Sequence, residues 1–157
     1  KGLVLATSKP FVKIDTLEAT ALSAMPSPNK VCAILDAKKK EVYTACFQPN
    51  GDTLKRLTLN RAMTPDELCK ETKEPTIFVG NGLDSYGSLL ASMIGKNFLQ
   101  APQNASLTIA AFAARLAEKK FQTDKCFSLR ELKIKYVRKS EAELNFAKLK
   151  DASKENS

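Results

Sequence analysis

The 157-residue sequence contains no histidine. That removes the commonest general base, and with it the Cys–His and Ser–His nucleophile pairs. Its four cysteines, Cys32, Cys46, Cys69 and Cys126, are irregularly spaced and never form a C-x-x-C pair. Tetrahedral zinc draws on Cys/His clusters at short spacing, so most zinc sites are excluded as well. Cys32 and Cys46 lie in apolar runs and read as small core residues in a reducing cytosol, with nothing in the adjacent sequence to favour a thiolate. No apolar run approaches the ~20 residues that a membrane-spanning helix needs. Residues 1–7 carry neither an initiator Met nor the length of a signal-peptide core, so a fragment or processed product is expected.

What is present is ordinary globular material with a basic excess. Apolar residues make up 43% and charged residues 27%, in the normal range for a folded domain. The net charge is +8, and between Arg115 and Lys150 there are eleven basic and five acidic residues. Such asymmetry suits an acidic partner, RNA or nucleotide phosphate, or else a generally basic surface. No aromatic stacking pattern is interleaved with the basic residues to decide between the two.

The apolar pattern predicts alternating elements. Residues 11–14 read as a short strand, followed by a helix over 17–24 with Thr16 as N-cap and a Met-Pro-Ser-Pro stop. Two strands, 31–35 and 41–47, should form an antiparallel hairpin across the polar turn 36–40. A turn at Pro49-Asn50-Gly51-Asp52 leads to a third strand over 54–59, giving a meander with its last strand at an edge and Leu57 and Leu59 on one face. Thr64-Pro65-Asp66-Glu67 carries a capping box with Pro at the first helical position. A buried strand at 75–79, a helix over 83–94, a short strand near 97–100 and a helix over 106–120 complete the pattern. The last helix has an apolar stripe at Ile109, Phe112, Ala113 and Leu116, and its alanines suggest close packing on a sheet. The expectation is an α/β domain with a mixed β-sheet and flanking helices. The last seven residues, 151–157, read as a disordered tail.

Three groups of residues are candidate sites. Gly80-Asn81-Gly82 follows a buried strand and opens a helix, as phosphate loops do. The third Rossmann glycine is replaced by Ser85, and no Gly-Lys-Ser/Thr follows, so a tight strand-to-helix turn is the competing reading. Asp36, Lys38, Lys39, Lys40 and Glu41 cluster at the hairpin tip. Nothing in the sequence pairs them for acid–base work, and they read as a solvated turn or a contact surface for another protein. Tyr136-Val137-Arg138-Lys139-Ser140-Glu141-Ala142-Glu143 joins two cations to a capping-box spacing of Ser140 and Glu143. Arg138 and Lys139, with Arg130, Lys133 and Lys135, form either a phosphate-binding face or a solubilising rim.

Taken in order, Lys1-Gly2-Leu3-Val4-Leu5-Ala6 with Lys9-Pro10-Phe11, Ile14-Asp15-Thr16-Leu17-Glu18-Ala19, Leu35-Asp36-Ala37-Lys38-Lys39-Lys40-Glu41-Val42-Tyr43, Val79-Gly80-Asn81-Gly82 and the segment from Tyr136 to Glu143 resemble the TsaB (YeaZ) family. This family belongs to the tRNA N6-threonylcarbamoyladenosine (t6A) biosynthesis machinery. The resemblance implies the C-terminal subdomain of an actin-like ASKHA (ribonuclease H-like) fold over 13–150, with 1–12 a remnant of the N-terminal subdomain's last helix and linker. It also implies a cytoplasmic, non-catalytic scaffold, not an enzyme, which pairs with a TsaD-like subunit that carries the metal ligands. By the same analogy a TsaE-like ATPase, tRNA held through the complex and a homodimer are further candidate partners. No cofactor is expected on this chain alone, ATP or ADP belonging to the full complex, and no membrane is implied. The main pairing surface of the family lies on helices of the other subdomain, so this portion is expected to fold without holding its partner tightly. The alternative is a direct tRNA-binding module that uses the basic C-terminal segment. Contacts to a partner or RNA would fall on Asp36, Lys38, Lys39, Glu41, Arg138, Lys139, Ser140 and Glu141, with Gly80, Asn81 and Gly82 as a weak nucleotide-phosphate candidate.

Overall fold

The computed structural model describes residues 2–102, 109–123 and 137. A short exposed helix α1 (Gly2–Thr7) precedes a mixed six-stranded sheet flanked by helices on both faces. The elements are α2 (Thr16–Leu22), β1 (Lys30–Asp36), β2 (Val42–Asn50), β3 (Thr53–Arg56), β4 (Arg61–Met63), α3 (Pro65–Glu71), β5 (Thr76–Val79), α4 (Gly82–Ile94), β6 (Phe98–Gln100) and α5 (Ile109–Gln122). Strands run in the order β3-β2-β1-β5-β6, and β4 pairs with β2 beyond the end of β3. The meander β1-β2-β3 is antiparallel, whereas β5 and β6 extend the sheet from β1 in parallel.

The period-2 alternation of β1 explains the layers. Val31 and Ala33 face one side, with Ala45 and Phe47 of β2 and Val79 of β5, and are covered by Leu17 and Ala21 of α2. Cys32 and Ile34 face the other side, with Val42 and Phe78, and are covered by Leu68 of α3 and Leu90 of α4. A strand buried on both faces reads as a continuous apolar run, as residues 31–35 do. β5 pairs parallel to β1 after a connection that runs through β2, β3, β4 and α3.

The structure corrects several boundaries. Of the strand expected at 11–14, only Phe11 makes an isolated bridge. Asp15, not Thr16, caps α2: its carboxylate accepts from the N–H groups of Leu17 and Glu18 at 2.9 and 3.3 Å. The third strand stops at Arg56 because Cys46 N–H turns to the Thr58 hydroxyl, and a separate short strand, β4, pairs with the other end of β2. Leu57 and Leu59 lie outside it and are exposed. The stripe on α5 is half-buried as expected, but that helix lies on α2 and not directly on the sheet. Lys120 Nζ reaches the Lys13 carbonyl at 3.2 Å and sits 4.0 Å from Glu18. The expected tail 151–157 lies outside the described residues.

The capping box of α3 forms in full. Glu67 N–H donates to Thr64 Oγ1 at 3.3 Å, and Thr64 N–H donates to Glu67 Oε2 at 2.8 Å. Thr64→Ala should lower the unfolding free energy by about 1 kcal/mol in urea denaturation. An unchanged midpoint would show that α3 is held by packing alone.

Candidate functional site

Two of the sequence-predicted groups, far apart in the chain, meet at the C-terminal edge of β1. Asn81 Oδ1 accepts from the Asp36 backbone N–H at 3.1 Å, so the turn before α4 is tied to the root of the β1–β2 hairpin. Asn81 therefore does not cap α4 through its side chain. The first turn of α4 closes on itself, Leu83 N–H donating to Gly80 O and Asp84 N–H to Asn81 O. Asp84 adds a carboxylate to that turn.

Both glycines have a packing reason to be glycine. Gly80 has φ +118°, and a Cβ there would collide with the Ile34 carbonyl oxygen. A Cβ on Gly82 would stand 3.2 Å from the carbonyl carbon, oxygen and Cγ1 of Ile34. The missing side chains thus let the β5–α4 turn press on the end of β1.

The hairpin tip is a tight left-handed turn. Asp36 Oδ1 accepts from Lys38 N–H at 2.8 Å, and Oδ2 pairs with Lys38 Nζ at 2.9 Å. Ala37 N–H donates to Glu41 O, and Glu41 N–H to Lys38 O, each at 3.0 Å. Between these bonds Lys38, Lys39 and Lys40 all take positive φ, at 60°, 53° and 63°. Three successive L-residues in that region carry strain, which clusters at functional turns. The sequence offered no pairing for Asp36; the structure supplies one. The Lys38 side chain, then its N–H, holds the Asp36 carboxyl below its ordinary value, and Asp36 in turn raises the Lys38 ammonium. A carboxylate so paired is a poor general base, and the tip presents cations to solvent.

Sequence reasoning missed two clusters. Asp15 Oδ2 takes both Arg56 Nη2 at 3.1 Å and Asn60 Nδ2 at 2.7 Å, while Arg56 lies 4.6 Å above the Phe47 ring. This network ties α2 to the β3–β4 connection. Between α2, β3 and α5 lies a cleft of about 250 Å³ whose lining includes Leu22, Leu54, Leu116, Arg115 and Lys119. The second cluster is Cys32 with Cys46, read from sequence as inert. Cys46 is drawn down to about 7 by the hydrogen bond from Cys32, against the opposing effect of burial and with help from Lys30, Arg61 and Thr58. The signal was available in the hairpin register, which sets 32 opposite 46. Arg138, Lys139, Ser140 and Glu141 lie outside the described residues.

A mixed sheet covered by helices on both faces, with a glycine turn pressed on its central strand, defines an α/β fold. Two solved structures from Pseudomonas aeruginosa share it. One is an uncharacterized protein with similarity to peptidase YEAZ: 18% identity, TM-score 0.60, covering 87% of this chain and 63% of that one. The other is YeaZ: 20% identity, TM-score 0.63, covering 86% of this chain and 64% of that one. The chain therefore spans less than two thirds of either structure. No curated protein matches the sequence. Residues 1–146 match the profile of TsaD, tRNA N6-adenosine threonylcarbamoyltransferase, and the chain belongs to that family.

Two substitutions test the turn geometry. Gly80→Ala should cost about 3 kcal/mol in chemical denaturation, through collision and the positive φ together. Lys40→Gly should raise stability by about 0.5–1 kcal/mol, because glycine adopts positive φ without the penalty paid by other residues. Destabilisation by the second would show that the lysine side chain, not its backbone, holds the tip.

Proposed function

We propose that this chain is a non-catalytic scaffold that supports t6A formation on tRNA by pairing with a TsaD-like catalytic subunit. The carrying observation is the family match over residues 1–146 in a sequence that holds no histidine. The family is named for a transferase, but a chain resembling its TsaB (YeaZ) branch would leave the metal chemistry to its partner. The charged clusters bind one another: Asp36 with Lys38, Asp15 with Arg56, Arg61 with Glu71. Leu3 and Leu5 on α1 and Leu59 after β3 stand exposed. The strained cationic tip at Lys38 and Lys39 would make partner contacts, and in the alternative reading the basic segment at Arg138 and Lys139 would hold tRNA. ATP, ADP and a TsaE-like ATPase would act in the complex and not on this chain alone.

The test is nucleoside mass spectrometry of tRNA incubated with a threonylcarbamoyl donor. This chain alone should form no t6A, and a TsaD-like subunit should be required for any product. Product from this chain alone would refute the scaffold reading. A filter-binding salt series with tRNA examines the alternative. Direct phosphate contacts give a log–log slope of roughly −0.7 to −0.9 per contact. The scaffold account expects no retention even at low salt.

A further inference from the structure

Cys32 and Cys46 face each other across the β1–β2 ladder. Cys46 N–H donates to Thr58 Oγ1 at 2.8 Å, and its carbonyl accepts from Leu57 N–H at 2.9 Å. Both backbone groups therefore point away from β1. Cys32 and Cys46 are then a non-hydrogen-bonded pair, the ladder position where Cα atoms approach to about 4.5 Å. That spacing falls within the roughly 4.4–6.8 Å over which a disulfide closes without backbone movement. Cys32 Sγ lies 3.2 Å from Thr44 Oγ1, and Cys46 packs against the same buried cluster as Cys32.

The pair opens on a cleft of about 160 Å³ between β1, the β3–β4 connection and α3. One water's share of liquid is about 30 Å³, so a molecule of peroxide size fits. The charged groups facing the cleft are Lys30 from β1, Arg61 from β4 and Glu71 from α3. Glu71 holds Arg61 through both guanidinium ends at 3.1 and 2.6 Å, and Glu74 holds Lys30 at 2.8 Å. Arg61 Nε is buried and has no hydrogen-bond partner among the described residues, which leaves a cationic donor to serve an anion. Two thiols alone leave tetrahedral zinc two ligands short, and no third ligand gathers with them among the described residues.

We propose that Cys46 and Cys32 form a dithiol site for small hydroperoxides, with Cys46 the attacking thiol and Cys32 the resolving one. The Cys46 thiolate attacks the terminal peroxide oxygen, the O–O bond breaks, and the departing alkoxide or hydroxide takes a proton. Cys46 is left as a sulfenic acid. The Cys32 sulfur then attacks the Cys46 sulfur and displaces its hydroxyl, which leaves as water with the Cys32 proton. Two thiols are oxidised to one disulfide and one hydroperoxide is reduced to an alcohol, or to water when it is hydrogen peroxide. Cys46, held near 7, is thiolate in large part at neutral pH, while burial pushes Cys69 the other way and makes it an internal control. This site stands apart from the t6A reading and survives or fails without it.

The experiment treats the reduced 157-residue chain with hydrogen peroxide and maps its cysteines by peptide mass spectrometry. Two of the four thiols should disappear into one Cys32–Cys46 linked peptide. In Cys32→Ser the reaction should stop at a Cys46 sulfenic acid that dimedone traps; if serine unsettles the core, Cys32→Ala should trap the same sulfenic acid more slowly, since it also removes the Cys32 thiol that lowers Cys46. Cys46→Ser should lose both products. In the intact chain the rate should rise with pH about a midpoint near 7, as the thiolate forms. At pH 7 it should exceed that of an unperturbed thiol about threefold, the larger thiolate fraction being partly offset by weaker nucleophilicity. Arg61→Gln should move the midpoint upward. Oxidation appearing first on Cys69 or Cys126, a folded chain without the linked peptide, or a midpoint near 8.5 would overturn the proposal.

Discussion

The fold depends on the close approach between the Ile34 carbonyl at the end of β1 and the turn that opens α4. Among the described strands, β1 is the one that pairs antiparallel on one side, with β2, and parallel on the other, with β5. It also feeds the core on both faces, Val31 and Ala33 toward α2 and Cys32 and Ile34 toward α3 and α4. Only a backbone without Cβ can approach Ile34 where Gly80 does, and only then does the Asn81 side chain reach Asp36. The parallel extension, the helix that covers it and the root of the cationic hairpin are thus fixed by one contact.

From that contact the character of the surface follows. Side chains that could do acid–base chemistry are engaged in holding elements together. Asp36 clamps its own hairpin, Asp15 caps α2 while holding Arg56, and Glu71 holds Arg61. What remains outward is cationic backbone-strained hairpin, short exposed helix and solvent-facing leucine.

Much of this was legible in the sequence because it is local. The continuous run Val31–Cys32–Ala33–Ile34 announces a doubly buried strand, and Thr64 with Pro65 and Glu67 announces α3. Gly80 and Gly82 could be placed at a strand-to-helix turn, but their meaning depended on Ile34, which is distant in the chain. The same limit hid the partner of Asn81, the break between β3 and β4, and the seating of α5 on α2, none of which has a periodicity to read. Asp15 and Thr16 are both good caps, and the Arg56 and Asn60 side chains that favour Asp15 arrive from the β3 edge of the sheet, distant in the chain. Cys32 and Cys46 look inert one at a time; register and the cations of β1 and β4 give them a chemistry.

The central claim, that β1 and the β5–α4 turn form one cooperative unit, is tested most directly by native-state amide hydrogen exchange. Amides of Val31 to Ile34 and of Phe78 to Gly80 should be the slowest in the chain and should open with a single shared free energy. If the turn amides exchange with α4 while β1 stays protected, the contact at Ile34 is incidental and the account fails.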